Sequence, residues 1–251
     1  MTLAAPIPQR AARSLPRLFD AAGWPGQCAV CRGWCRGGLC AACIARFAAP
    51  CARCRRCALA LPATAGGTCG ACLRAPPPFE HAITAVDYGL PWRTLITRFK
   101  FHAGLELAPM LARRLADAAT AALAADLPRP DCLLPAPLSD ERQRERGFNQ
   151  AWELARRVAA RLRLPADAGL LLRLRDTAHQ LALPLDRRAA NVRGAFAVEP
   201  LRRAQLEGRC VALVDDVMTT GATAAEMARV LLQAGAAQVQ VWTLARTPLR
   251  D

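Results

Sequence analysis

Four Cys-x-x-Cys pairs fall within one short stretch of this chain: Cys28/Cys31, Cys40/Cys43, Cys54/Cys57 and Cys69/Cys72. A turn of this kind aims two thiolates at one point, and two such turns complete a tetrahedral metal site. Four pairs therefore predict two sites, each closed by four sulfurs, with zinc as the expected ion. Such a site is structural and leaves no open position for a substrate. Neighbouring pairs sharing a site is the favoured arrangement, although the spacing also allows interleaved pairs. Cys35 and Cys51 are surplus, and Cys51 in "CARCRRC" can exchange with Cys54 or Cys57 in register. Between the pairs only Leu39, Ile44, Phe47 and Leu59 are sizeable apolar anchors. So small a segment buries little core, and metal binding is expected to supply its folding free energy.

Metal is preferred to disulfides because the chain reads as cytoplasmic. Its start, "MTLAAPIPQRAARSLPRLFDAAG", places arginines and prolines where a signal peptide needs an apolar core. No run of 18 apolar residues is present, so no transmembrane segment is expected. Thiols in the cytosol stay reduced. The formal net charge is +14, and Lys100 is the single lysine among 34 basic residues. Residues 1–76 hold ten arginines and one acid, Asp20, and so carry +9 of that total. Such a basic segment favours a polyanion partner, single-stranded DNA among them. Part of the charge serves only to offset thiolates.

The tract "RAPPPFE", 74–80, reads as a stiff proline linker. Three regions follow: an N-terminal extension (1–23), a double zinc-binding cysteine module (24–75) and a larger domain (76–251). In the last, "HAITAVDYG", "DCLLPAPL", "RCVALVDD" and "AQVQVWTLAR" read as strands. "PWRTLITRFKF", "GLELAPMLARRLADAATAALAADL", "NQAWELARRVAARLRL" and "TAAEMARVLLQAG" read as helices, the last ending at Gly235. Strands alternating with helices predict an α/β domain with a mostly parallel sheet covered on both faces.

The stretch "VALVDDVMTTGAT", 211–223, carries the chemistry. Val211–Val214 reads as a buried strand, with Asp215 and Asp216 at its carboxyl end, where open α/β sheets bind ligands. Paired carboxylates there can accept hydrogen bonds from vicinal ribose hydroxyls. Thr219–Thr223 then turns into a helix whose first N–H groups can cradle a phosphate, and Gly221 permits close backbone approach. A ribose 5-phosphate fits both features.

This stretch resembles the 5-phosphoribosyl-1-diphosphate (PRPP) signature of type I phosphoribosyltransferases. The chain as a whole, over roughly residues 25–247, resembles the ComF/GntX family, which joins a cysteine zinc module to such a domain. The family's features occur in order: "CGACLRAPPPF", "LITRFKF", "PAPLSDERQRERGFNQA", "RDTAHQLALPLDRRAANVRGAF", the PRPP loop and "VQVWTLART". Two departures are "CALALP", where relatives often carry glycine after the cysteine, and Pro184–Leu185.

The resemblance implies a Rossmann-like phosphoribosyltransferase fold and a set of residue roles. Asp215 and Asp216 would be the catalytic carboxylates on the ribose hydroxyls. Thr219, Thr220, Gly221, Ala222 and Thr223 would cradle the 5-phosphate, and Val214 would also belong to the PRPP-binding set. Arg142, Arg146, Gly147, Asn149 and Gln150 would form the pyrophosphate loop. Arg175, Thr177, Gln180, Arg188 and Asn191 would belong to a loop closing over the ribose. Magnesium would accompany PRPP; no general base stands out, Asp216 being one candidate and His102 and His179 weaker ones. Two functions follow: a PRPP-dependent transferase of unidentified acceptor, or a PRPP-sensing protein that binds single-stranded DNA. Either is linked by the family to DNA uptake machinery, DNA utilisation or competence.

Overall fold

The computed structural model describes residues 25–64, 66–101, 104–175 and 191–248. Five positions singled out above, His102, Thr177, His179, Gln180 and Arg188, lie outside the described residues.

The cysteine-rich segment consists of two similar halves. The first holds the hairpin of β1 (Pro25–Gln27) and β2 (Trp34–Arg36) and the short helix α1 (Ala41–Phe47). The second holds an isolated bridge between Arg53 and Ala60 and the helix α2 (Gly70–Arg74). The two repeat the same knuckle. Cys28 N–H donates to Gly33 O and Cys54 N–H to Leu59 O, each at 2.8 Å. The residue after each first pair, Arg32 or Ala58, has a positive φ of 64° or 56°. That conformation explains why glycine suits position 58, since it alone adopts it without steric cost.

The rest is built on a four-stranded parallel sheet in the order β3 (His81–Asp87), β8 (Gln238–Arg246), β7 (Cys210–Met218), β4 (Cys132–Pro135). The central strands β7 and β8 are buried along most of their length because both of their faces are covered. On one face lie α3 (Trp92–Phe101), α4 (Ala108–Ala124) and α6 (Gln150–Leu162), around Ile96, Phe99, Leu111, Leu115, Leu154 and Trp242. On the other lies α7 (Ala222–Gln233), with Met227 and Leu231 against Leu213 and Val241. A separate antiparallel ribbon, β5 (Leu171–Arg173) with β6 (Phe196–Val198), packs beside α7. A further helix, α5 (Asp140–Arg146), follows β4.

Two local features differ from the sequence reading. First, β7 does not stop at Asp216 but pairs with β8 as far as Met218↔Arg246, so the two aspartates lie inside the strand and not at its end. Pairing on that side continues because β8 is equally long. Second, the proline tract is no free spacer: Phe79 is buried, and Ala82 N–H donates to Arg55 O at 2.8 Å. The cysteine segment is docked by further contacts. Arg53 pairs with Asp87 at 2.8 Å, Trp92 Nε1 donates to Phe47 O, and Cys28, Leu39 and Cys43 share a cluster with α3 and α4.

Arg246, at the end of β8, completes the docking. Its Nε donates to Cys57 O at 2.8 Å. Its Nη1 donates to the carbonyls of Met218 (3.2 Å), Thr247 (2.7 Å) and Thr219.

Candidate functional site

The parallel registers bring the carboxyl ends of β3, β7 and β8 to one edge of the sheet, at Asp87, Met218 and Arg246. Just inside that edge, Asp215 and Asp216 point to opposite faces, as successive strand residues do. Asp215 lines a cleft together with Thr219, Gly221, Thr223 and Ala224 at the start of α7. Asp216, buried, reaches the α3 side, where Lys100 Nζ stands 2.8 Å from its Oδ1.

The loop from β7 into α7 is short for a physical reason. Gly221 has φ +85° and serves as the helix N-cap, and Thr220 Oγ1 accepts from Ala222 N–H at 3.3 Å. The cleft therefore opens toward the first turn of α7, whose N–H groups have no partner within the helix. Anions are favoured at such an end.

A second arm comes from α5. Gly147 takes the left-handed conformation (φ +76°) that ends this helix, and Asn149 caps the next one. Asn149 Oδ1 accepts from Ala151 and Trp152 N–H, and its Nδ2 donates to Ala136 O at 3.1 Å. Gln150 is buried and takes part through Arg146 Nη1, which donates to its Oε1 at 2.9 Å. The positions expected to form a pyrophosphate loop thus divide. Arg142 and Arg146 belong to a short helix, while Gly147, Asn149 and Gln150 shape the turn after it.

Arg146 lies across the Phe101 ring, its guanidinium carbon 4.8 Å from the centroid. Burial pulls its pKa below the ordinary value, opposed by the Asp216 carboxylate. Burial, then repulsion from Asp216, raises Asp215 from its ordinary 3.8 to about 7, and Lys100 and Arg173 act against that rise. Lys100 and Phe101 lie in "LITRFKF" and Arg246 in "VQVWTLART", stretches that carry the family resemblance but to which the sequence assigns no ligand role. A further signal in the sequence is that Lys100 is the only lysine.

Arg175 is exposed at the end of β5, and its Nη2 donates to Arg193 O. Asn191 is half-buried, two residues before Arg193. The described residues do not bring either into the cleft lining.

The cysteines form two groups, Cys28/Cys31/Cys40/Cys43 and Cys54/Cys57/Cys69/Cys72, with all sulfurs of a group within 4.8 Å of one another. The grouping is that of neighbouring pairs, and Cys35 and Cys51 belong to neither. Backbone N–H groups approach the sulfurs in the same way in both: Cys40 N–H to Cys28 Sγ at 3.5 Å and Cys69 N–H to Cys54 Sγ at 3.3 Å. Burial raises Cys28 and Cys54, but backbone N–H donors outweigh it and bring them down to about 6 and about 7. Burial pushes Cys43 up to about 12 and raises Cys72 further. Four sulfurs this close cannot all ionise against one another. A divalent cation removes that conflict, so both donor sets fit a metal such as zinc.

Comparison with known proteins identifies the family. DNA utilization protein YhgH of Escherichia coli (strain K12) is 37% identical over 231 residues, covering 89% of this chain and 98% of that protein. The chain belongs to the ComF/GntX family. Other relatives are Competence protein F of Haemophilus influenzae, 35% identical over 71% of this chain and 78% of its own length, and Competence protein ComFC of Bacillus subtilis, 36% identical over 46% and 44%. No protein-family model matches. Similar solved structures include adenine phosphoribosyltransferase from Leishmania tarentolae (17% identity, 55% of this chain and 57% of that one, TM-score 0.34). A glutamine PRPP amidotransferase from B. subtilis is another (22%, 52% and 24%, TM-score 0.34). These scores are too low to bear on function. The architecture itself is an α/β unit on a four-stranded parallel sheet, preceded by a cysteine-rich segment. Among the described residues, no helix is long and apolar enough to cross a membrane.

The raised Asp215 has a consequence for stability. A carboxyl whose pKa is higher in the folded than in the unfolded chain binds more protons when folded. Its contribution is full below about 3.8 and is lost as pH rises through about 7. Asp215→Asn should therefore flatten the decline in unfolding free energy over that window and stabilise the protein above it. Urea titrations at pH 5 and pH 8 measure this, and an equal slope in variant and wild type would refute it.

Proposed function

We propose that this protein binds PRPP at the edge formed by β7 and α7 and acts in the handling of DNA. The observation that carries the reading is one continuous segment: a carboxylate pair on a central parallel strand, then Gly221 at φ +85° opening a helix N-terminus. Asp215 and Asp216 accept the vicinal ribose hydroxyls. Thr219–Thr223 holds the 5-phosphate by backbone N–H and hydroxyl groups. Arg142 and Arg146 take the pyrophosphate, on a turn set by Gly147, Asn149 and Gln150. Arg175, Thr177, Gln180, Arg188 and Asn191 are assigned to the segment that covers the ribose.

Breaking the C1–pyrophosphate bond develops positive charge on the sugar and negative charge on the leaving group. The arginines stabilise the second, and the carboxylates orient the first. Asp215 and Asp216 are the hard oxygen donors at that edge that would hold a magnesium ion, which would supply further charge neutralisation. Replacing both aspartates (Asp215→Asn with Asp216→Asn) should abolish magnesium-dependent PRPP binding in calorimetry. Unchanged affinity would remove the site assignment.

The two cysteine groups each hold one structural zinc in this reading, because all four positions are sulfur. Elemental analysis should return two zinc ions per chain, and one or none would contradict it.

A second reading, that of a PRPP-sensing protein for single-stranded DNA, is favoured by the first cysteine half. Trp34 is 78% exposed on β2, between the exposed Arg32 and Arg36. An exposed ring among arginines is a stacking platform for unpaired bases. Relatives named for DNA utilization and competence point the same way. Trp34→Ala should weaken single-stranded DNA binding by about 1–3 kcal/mol, and added salt should weaken the wild type steeply. Fluorescence anisotropy showing no binding at low salt would reject this reading. Pyrophosphate release in the presence of bases, amines or DNA separates the two: a transferase releases it with one of them, a sensor with none.

A further inference from the structure

The basic residues of this chain are 34, and one of them is lysine. In every other ion pair among the described residues the cation is arginine. The single lysine sits at the carboxylate pair, with 19% of its side chain exposed, 2.8 Å from an Asp216 whose side chain is 10% exposed. If neutralising Asp216 were its whole task, arginine would serve, as it does elsewhere in the chain. Arginine differs in shape: its planar fork locks a carboxylate through two parallel bonds, while an ammonium is a compact point charge with three rotatable donors. A lysine can leave the carboxylate and take another oxygen with little motion.

A second, independent feature lies beside it. The next residue, Phe101, seats the Arg146 guanidinium. Arg146 Nε is buried with no acceptor, although Nη1 is engaged by Gln150. A buried guanidinium donor without a partner is costly and calls for an anion. Asp216 pairs directly with Lys100, and its charge also acts on Arg146, whose guanidinium lies on the ring of the residue next to Lys100. The other last-turn cation of α3, Arg98, is directed elsewhere, to Glu106 at 2.6 Å.

We propose that Lys100 is a diphosphate-binding residue of this site, held by Asp216 in the ligand-free chain and transferred to a diphosphate oxygen when ligand enters between Lys100 and Arg146. The exchange frees Asp216 to accept a sugar hydroxyl. Lys100 is thus a displaceable counter-ion that links anion binding to unmasking of the carboxylate. The proposal deepens the PRPP reading and rests on it for the identity of the full ligand.

A chain with one lysine offers a direct test. Reductive methylation with ¹³C-formaldehyde keeps the charge and gives one dimethyl-lysine resonance, with the α-amine as internal reference. Magnesium pyrophosphate, and then magnesium PRPP, should shift the lysine signal and leave the α-amine signal unmoved. In calorimetry on the unlabelled protein, Lys100→Arg should bind both ligands at least roughly tenfold more weakly, the loss expected for one charge-assisted hydrogen bond. Its thermal midpoint should stay near that of wild type, because the charge on Asp216 is still neutralised. Wild-type affinity in Lys100→Arg would show a purely neutralising role and overturn the proposal. So would an unmoved lysine resonance at pyrophosphate saturation, or no pyrophosphate binding at all. Pyrophosphate binding that shifts the lysine, with no binding of PRPP, would sustain Lys100 as an anion ligand and overturn the PRPP reading instead.

Discussion

One guanidinium joins the parts of this protein. Arg246 ends β8 and donates to Cys57 O in the second cysteine half and to Met218, Thr219 and Thr247 carbonyls at the sheet edge. Carbonyls at a strand's end need donors, and here a single buried cation supplies them. The phosphate-binding loop proposed for Thr219–Thr223 begins at two of those carbonyls. The cysteine segment is thus attached at the edge of the sheet that carries the candidate site. The Arg53–Asp87 pair and the Arg55–Ala82 backbone bond hold its second half along β3 as well.

The site itself is a balance of charge. Two adjacent carboxylates on a central strand repel one another, and burial adds to the cost of ionising both. Asp215 answers by a raised pKa, toward about 7. Asp216 has an ion pair with Lys100 and a second cation, Arg146, nearby. Because successive strand residues face opposite sides, the pair serves two surfaces: the α7 cleft for Asp215 and the α3 side for Asp216. A ligand with vicinal hydroxyls and two separated anionic groups matches that division.

Much of the architecture was legible in residue patterns. Helix α6 follows from the apolar positions Trp152, Leu154, Ala155, Val158 and Leu162, which recur at helical spacing, and it stands at Gln150–Leu162 with Leu154 and Val158 fully buried. Strand β7 follows from the apolar run Val211–Val214. Less legible was anything decided by a partner distant in the chain. The extension of β7 past Asp216 depends on pairing with β8. The prolines before β3 read as a spacer because Phe79 has no visible partner in sequence. Asn149 matched a family motif, yet its side chain is spent on capping α6 and on Ala136 O. Lys100 and Arg246 sit in stretches that match the family, yet their partners were not legible, since each acts on atoms more than a hundred residues away.

By itself the sequence determined what depends on local spacing: two four-cysteine donor sets, strands alternating with helices, and a carboxylate pair leading into a glycine turn. These are short-range properties, set by the geometry of a knuckle, the periods of helix and strand, and the steric freedom of Gly221. The tertiary structure alone decided which cations meet those carboxylates and how the cysteine segment is seated. Ion pairing and burial depend on which segments the packed sheet brings within a few ångströms. Lys100 and Asp216, or Arg246 and Cys57, become neighbours only once α3, β8 and the second cysteine half have packed together.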